Sequence, residues 1–250
     1  MVRRLLVRFG YGALGAAYVA LGAAAVQIAV AGARDKVTGF SGAFRRLLEK
    51  PHGAALVSGI AAGLAAFVLA RALDAADRRR GPLFRSVAAV DALAHAGLAW
   101  AAVSLATGIG GRRSSARPAL AWLLSQAWGP GALTAAALVV IAIGAFQLWQ
   151  GLRGHPRRQL SQRPLGPAAP YAIRIGRFGL FVRGIVTAII GWFLLETARD
   201  ADPRKFHEIG GALEVLRAMP LGGLALGVAG GGLAAYGCYL VLLGFFRRAR

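Results

Sequence analysis

Six stretches of this chain, at 10–31, 54–74, 87–108, 131–152, 178–198 and 223–245, are apolar almost throughout. Each reaches the roughly 20 residues a helix needs to cross the hydrocarbon core of a bilayer. Nothing else in the sequence limits the fold as strongly. Composition agrees: 57% of the 250 residues are hydrophobic and 16% charged, against about 25% charged in a water-soluble domain. The missing charge implies surface that faces something other than water. The expectation is an all-α, polytopic integral membrane protein with six transmembrane helices.

The first run has two marks of a secretory signal, since Arg3 and Arg4 precede it and Ala31-Gly32-Ala33 resembles a cleavage site. Its apolar stretch is longer than the about 7–15 residues of a signal core. It also fits an internal repeat, which a cleaved segment has no reason to do, and is read as a retained span.

Three glycines, Gly15, Gly97 and Gly184, set that repeat. Three residues after each stands Tyr18, Trp100 or Thr187, and seven after each stands Gly22, Ser104 or Gly191. A polar loop, a short amphipathic phrase and a second span follow in every case. The phrases are GAFRRLLEKPHG (42–53), PALAWLLSQAWG (118–129) and GALEVLRAMPLG (211–222). Recurrence of one such unit indicates duplication of a supersecondary element. The units cover 8–77, 85–154 and 174–248 of a single membrane domain. Two spans per unit return the chain to its starting side, so all three insert the same way up. They are then related by a pseudo-threefold axis along the membrane normal.

In the first phrase, Phe40, Ala43, Phe44, Leu47 and Leu48 form one helical stripe, with Arg45, Arg46, Glu49 and Lys50 opposite. Such a helix lies in the headgroup plane with its apolar face down, and Trp122 and Trp128 of the second phrase suit that depth. The alternative is a cap helix packed on the bundle.

The net charge of +20 raises nucleic acid as a partner. Recognition of that kind needs basic residues gathered on one folded surface with aromatics interleaved. Here they stand at the ends of the apolar runs, the membrane-protein pattern, so no nucleic-acid partner is expected. Lys/Arg residues are more numerous on the side of both termini, from Arg3, Arg4 and Arg8 to Arg247, Arg248 and Arg250. The positive-inside rule therefore places both termini in the cytoplasm and the phrases outside. Basic edges on the cytoplasmic face would attract anionic membrane lipids.

The repeated phrases, together with the starts YGALGAAYVALG and LFVRGIVTAIIG, resemble the bacterial membrane family known as domain of unknown function 1206. The resemblance spans roughly residues 8–247 and implies a six-span protein of three two-helix units in the bacterial cytoplasmic membrane. It also implies an arginine-glycine step in the first span of a unit. This chain keeps that step at Arg183-Gly184 and has Leu14-Gly15 and Ala96-Gly97 at the matching places. The family name carries no activity.

Ionisable residues inside spans are the strongest functional pointers in a membrane sequence. Asp91, His95 and Arg183 qualify. Asp91 and His95 stand four apart on one helical face, and Arg183 matches Ala96 in the repeat, so the three are a candidate intramembrane polar cluster. A structural ion pair, snorkelling of Arg183 to the headgroups and a proton or solute site all fit the pattern. Gly59 and Gly63, and Gly223, Gly227 and Gly231, recur at four-residue spacing and are candidate helix-packing glycines. They would serve packing within the monomer or a homo-oligomer.

One cysteine, Cys238, excludes an internal disulfide, and the four histidines have no ligand spacing. No metal, cofactor or catalytic motif is recognisable. The expectation is a non-enzymatic structural or lipid-interacting membrane protein. A small-solute or ion permease along the pseudo-threefold axis is the alternative.

Overall fold

The computed structural model describes residues 2–31, 37–78, 81–109, 117–153 and 163–246. Among these are nine α-helices: α1 (Val2–Ala31), α2 (Phe40–Leu48), α3 (Gly53–Ala76), α4 (Pro82–Thr107), α5 (Arg117–Leu124), α6 (Gly129–Arg153), α7 (Ala169–Asp200), α8 (Ile209–Ala218) and α9 (Gly222–Phe246). Six of them, α1, α3, α4, α6, α7 and α9, are long and apolar enough to cross a membrane. Arg34, Lys36, Arg79, Arg80, Arg112, Arg113, Arg157, Arg158, Arg247, Arg248 and Arg250, part of the orientation argument, lie outside the described residues, as do Gly32 and Ala33.

The glycine that closes each short phrase has a steric cause. A Cβ at Gly53, Gly129 or Gly222 would collide with the carbonyl oxygen of Leu47, Leu123 or Arg217, respectively. In all three units the second span turns back against the last carbonyls of the short helix, and only a residue without a side chain fits. The turns are completed by His52 at φ 62° and Leu221 at φ 63°, in the left-handed region that L-residues seldom adopt.

The spans follow one packing rule. The second span of each unit lies antiparallel against the first span of the next: α3 on α4, α6 on α7, and α9 back on α1. Two seams match position by position. A Cβ at Gly237 would lie 2.5 Å from the Gly15 carbonyl oxygen, and one at Gly144 would lie 3.0 Å from that of Gly184. Further along, Gly244 approaches the Arg8 carbonyl to 3.1 Å and Gly151 that of Arg177 to 3.0 Å by the same measure. Lipid supplies no hydrophobic drive for helices to associate, so close backbone contact between small residues does that work. The sequence supplies it at two of three equivalent seams. At the third, α3 carries Val68 and Ala75 where α9 has Gly237 and Gly244. Gly97 of α4, the counterpart of Gly15 and Gly184, has no neighbouring atom within 4 Å of a built Cβ.

Unit two departs from its siblings in a second way. Within units one and three the two spans also pack on each other, α1 on α3 and α7 on α9, but among the described residues α4 and α6 share no packed seam. The pseudo-threefold ring is open there. Trp100 of α4 is 58% exposed, whereas its counterpart Tyr18 is 6% exposed. Ala13 and Val182 face Gly63 and Gly232 of their own units. Their counterpart His95 instead faces Phe67 of the preceding unit, ring centres 5.1 Å apart. So α4 is turned about its axis relative to α1 and α7.

The short helices sit at the end of the bundle where the first spans finish. For α2 the bundle takes the apolar stripe: Phe44 is fully buried and Phe40 meets Tyr18 edge to face at 5.2 Å. α8 likewise buries Ala212 and Leu213. α5 buries no residue and leaves Trp122 64% exposed. The cap placement thus describes α2 and α8, while α5 keeps the apolar surface suited to a headgroup layer.

Candidate functional site

The intramembrane charges form two hydrogen-bonded groups, with Asp91 and Arg183 near enough to feel each other's charge but not in contact. The first bridges α1, α3 and α4. Arg71 Nε lies 2.9 Å from Asp91 Oδ2, its Nη2 donates to the Tyr11 hydroxyl at 2.7 Å, and its Nη1 reaches Asp74 at 3.3 Å. His95 Nδ1 sits 2.8 Å from the Asp91 carbonyl oxygen and 3.2 Å from Asp91 Oδ1. A lone charge at the bilayer centre costs about 2.5–3.5 kcal/mol on insertion scales, and pairing offsets that cost. The pair also explains the turn of α4: the face that carries Asp91 must meet α3, where Arg71 is.

Asp91 and His95 therefore share one network, as their spacing predicts. Arg71 is the member the sequence reading missed. It lies inside the run 54–74, three residues before Asp74, and that i, i+3 pair within a span was the available signal. Counting from Gly53, Gly129 and Gly222, the positions of Arg71 and Asp74 in α3 are filled by Gln147 and Gln150 in α6 and by Leu240 and Leu243 in α9. One structural position is charged, neutral polar and apolar in turn.

Arg183 forms the second group and is not hydrogen-bonded to Asp91 or His95. Its Nε donates to the Tyr18 hydroxyl at 3.0 Å. Its guanidinium stands 5.6 Å from the Tyr18 ring centre and 4.8 Å from that of Tyr236. A desolvated arginine over tyrosine is worth about 2 kcal/mol. α7 has 32 residues and starts earlier than the apolar run, so Arg183 lies about 21 Å along it at 1.5 Å per residue. It points inward between two rings rather than out to the headgroups.

Beside Arg183 is a cavity of about 240 Å³ between α1, α6, α7 and α9. Gln147 and Gln150 contribute polar groups to its wall, and Ile143, Phe146, Leu180 and Leu243 are among its apolar lining. Thr187 Oγ1 donates to the Arg183 carbonyl oxygen at 2.8 Å within α7 and lies 3.4 Å from Gln147 Oε1 of α6.

A shallower recess lies between the ends of α6 and α7 near the termini, lined by Gly151, Leu152, Arg174, Arg177, Phe178 and Phe181. Arg177 donates to the Gly151 and Leu152 carbonyls at 2.9 and 2.7 Å, satisfying acceptors that a helix C-terminus leaves open. Arg85 does the same for α3, donating to the Ala75 carbonyl at 2.9 Å.

Of the candidate packing glycines, Gly63 approaches Ala13 of α1 closely, while Gly223 and Gly227 make ordinary contact with Ala29. Gly59 and Gly231 face open space. Among the described residues no group of histidine, cysteine or carboxylate side chains is placed to hold a metal ion.

The comparisons with known proteins agree with this three-part architecture. The family described as Domain of Unknown Function (DUF1206) matches three times, at 9–78, 87–154 and 178–247, one match per pair of spans. An uncharacterized protein of Bacillus subtilis (strain 168), YxxB, is 30% identical over 250 residues, covering 96% of this chain and 90% of that protein. No solved structure matches. With three matches that together cover most of its length, the chain belongs to the DUF1206 family.

Proposed function

We propose that this protein is a non-enzymatic, lipid-interacting component of the bacterial cytoplasmic membrane, with both termini in the cytoplasm. The recess between α6 and α7 carries the reading. It sets Arg174 and Arg177 beside Phe178, Phe181 and Leu152, a basic group over an apolar wall. The first turns of α1 and the last of α9 share that end of the bundle, as the approach of Gly244 to Arg8 requires. Basic pockets between spans at a cytoplasmic rim bind acidic headgroups. Arg177 is held in place by the α6 carbonyls, so its charge is presented at little further entropic cost.

The test is mass spectrometry of lipids that remain with the full chain purified in mild detergent. Enrichment of acidic over zwitterionic phospholipid is expected, and it falls in the Arg174→Gln/Arg177→Gln double variant. Equal lipid composition in both, or none beyond the detergent background, rejects the reading. The cavity beside Arg183 favours the permease alternative, for which solute flux in proteoliposomes is the decisive measurement.

A further inference from the structure

We infer that the cavity beside Arg183 is a binding site for the anionic head of an acyl-chain amphiphile, a carboxylate or phosphate, which enters sideways from the bilayer between α4 and α6. This rests on the lipid-interacting reading but concerns a different site from the rim recess.

Three observations carry it. The first is charge. Among the described residues no carboxylate lies within ion-pair distance of Arg183: its direct side-chain contacts are the Tyr18 hydroxyl and two tyrosine rings, and Asp91, whose charge it feels from farther off, is paired with Arg71. The carboxylates nearby are engaged with Arg71. Tyrosine rings reduce the cost of a guanidinium in a membrane without neutralising it, and an anionic ligand would neutralise it. Nε is used by Tyr18, which leaves the two terminal amino groups of the planar fork. Those are the groups that take a carboxylate or phosphate in paired hydrogen bonds.

The second is the wall chemistry. Gln147 and Gln150 lie on the α6 side of the cavity, while Ile143, Phe146 and Leu243 give it an apolar part. A cavity of about 240 Å³ accepts a compact head and the first carbons of a chain, not a phospholipid with both tails. The tails must leave by an opening.

The third observation is that opening. Among the described residues every neighbouring pair of spans packs together except α4 and α6. α6 is also the least buried span, with 22% of its window inside the bundle. Its outward surface carries the stacked pair Phe146 and Trp149, ring centres 5.7 Å apart. Phe146 belongs to the cavity lining as well, so the apolar wall continues from the cavity to the lipid-facing surface. Phe146 is the point at which an acyl chain would pass from the cavity to the lipid-facing surface of α6.

The experiment uses the full chain in dodecyl maltoside and 9,10-dibromostearate as probe, read by quenching of tryptophan fluorescence. 9,10-Dibromostearyl alcohol is the uncharged control. The wild type is expected to bind the acid at least about tenfold more tightly than Arg183→Gln, with the alcohol bound equally weakly by both. Ile143→Phe leaves Arg183 and its tyrosines untouched and narrows the cavity from its half-exposed side. It should weaken the acid several-fold, and it decides the matter alone should Arg183→Gln fail to fold. Mass spectrometry of co-purified lipid then separates the sources: a free fatty acid or an acidic phospholipid lost in Arg183→Gln each supports the site. Equal binding of the acid by wild type and both variants overturns it. So does displacement of the probe by millimolar inorganic phosphate, which would mean a soluble-anion site. If acidic lipid still co-purifies through Arg174 and Arg177 while the probe ignores Arg183, only the cavity assignment fails.

Discussion

The Nε of Arg183 donates to the hydroxyl of Tyr18 at 3.0 Å, tying the first span of unit three to the first span of unit one. The two positions are not equivalents: Tyr18 corresponds to Thr187, one turn beyond Arg183. One unit thus supplies a donor and another the acceptor, a division of labour open to diverged copies of a duplicated element. Tyr236 of α9 completes the contact, its ring 5.0 Å from that of Tyr18.

Removing that hydroxyl isolates its contribution. Tyr18→Phe keeps both rings and the cation–π contact but deletes the acceptor for Nε. Hydrogen bonds to charged groups are worth about 1.5–3 kcal/mol, so the melting temperature in detergent should fall measurably. Arg183→Leu in the Tyr18→Phe background should cost less than Arg183→Leu alone. An additive double-mutant cycle would show that the contact contributes nothing.

A glycine at a closed seam and one at the open face of α4 should respond differently to the same substitution. Gly237→Ala puts a methyl 2.5 Å from the Gly15 carbonyl, and overpacking of this kind costs about 1–3 kcal/mol. Gly97→Ala meets no atom within 4 Å and exchanges a poor helix former for the best one, a gain of about 0.5–1 kcal/mol. Thermal unfolding of the two variants should move in opposite directions. Two equal destabilisations would mean that α4 closes on α3 as α1 closes on α9.

Arg71→Gln leaves Asp91 half-buried beside His95 with its ion-pair partner gone. Loss of one member of a buried pair costs about 3–5 kcal/mol, and the exposure of Asp91 reduces that figure. The double variant Arg71→Gln/Asp91→Asn should recover most of the loss. Recovery is measured as the midpoint of unfolding, and none would mean that the pair does not orient α4.

The short helices predict a contrast of their own. Phe44→Ala empties a fully buried position of α2 and should cost about 3–5 kcal/mol. Trp122→Ala in α5 removes a ring that is 64% exposed and should leave unfolding unchanged while shifting the partition of an α5 peptide out of vesicles. Equal stability losses would place α5 against the bundle.

Reporter fusions check the orientation. Both an N-terminal and a C-terminal fusion should report the cytoplasm, since α1 and α9 meet where Arg8 approaches Gly244 and the Lys/Arg excess lies on that side. Reporters on opposite faces would contradict the repeat itself.

The six spans, the duplicated unit and the same-side termini were legible in the chain because each depends on a local quantity. Run length against membrane thickness, the recurrence of Gly15, Gly97 and Gly184, and the parity of two crossings per unit need no knowledge of neighbours. The Asp91–His95 contact was legible for the same reason, being four residues apart on one helix. What only the tertiary structure decided is which copies touch. Val68 stands at one seam where glycine stands at the others, Arg71 pairs with Asp91 across α3 and α4, α4 and α6 share no packed seam among the described residues, and Arg183 packs on two tyrosine rings. Helices in lipid have no water-facing side to fix their rotation. Their rotation about their own axes is set by the few small and charged side chains that find partners, and that depends on all six spans at once.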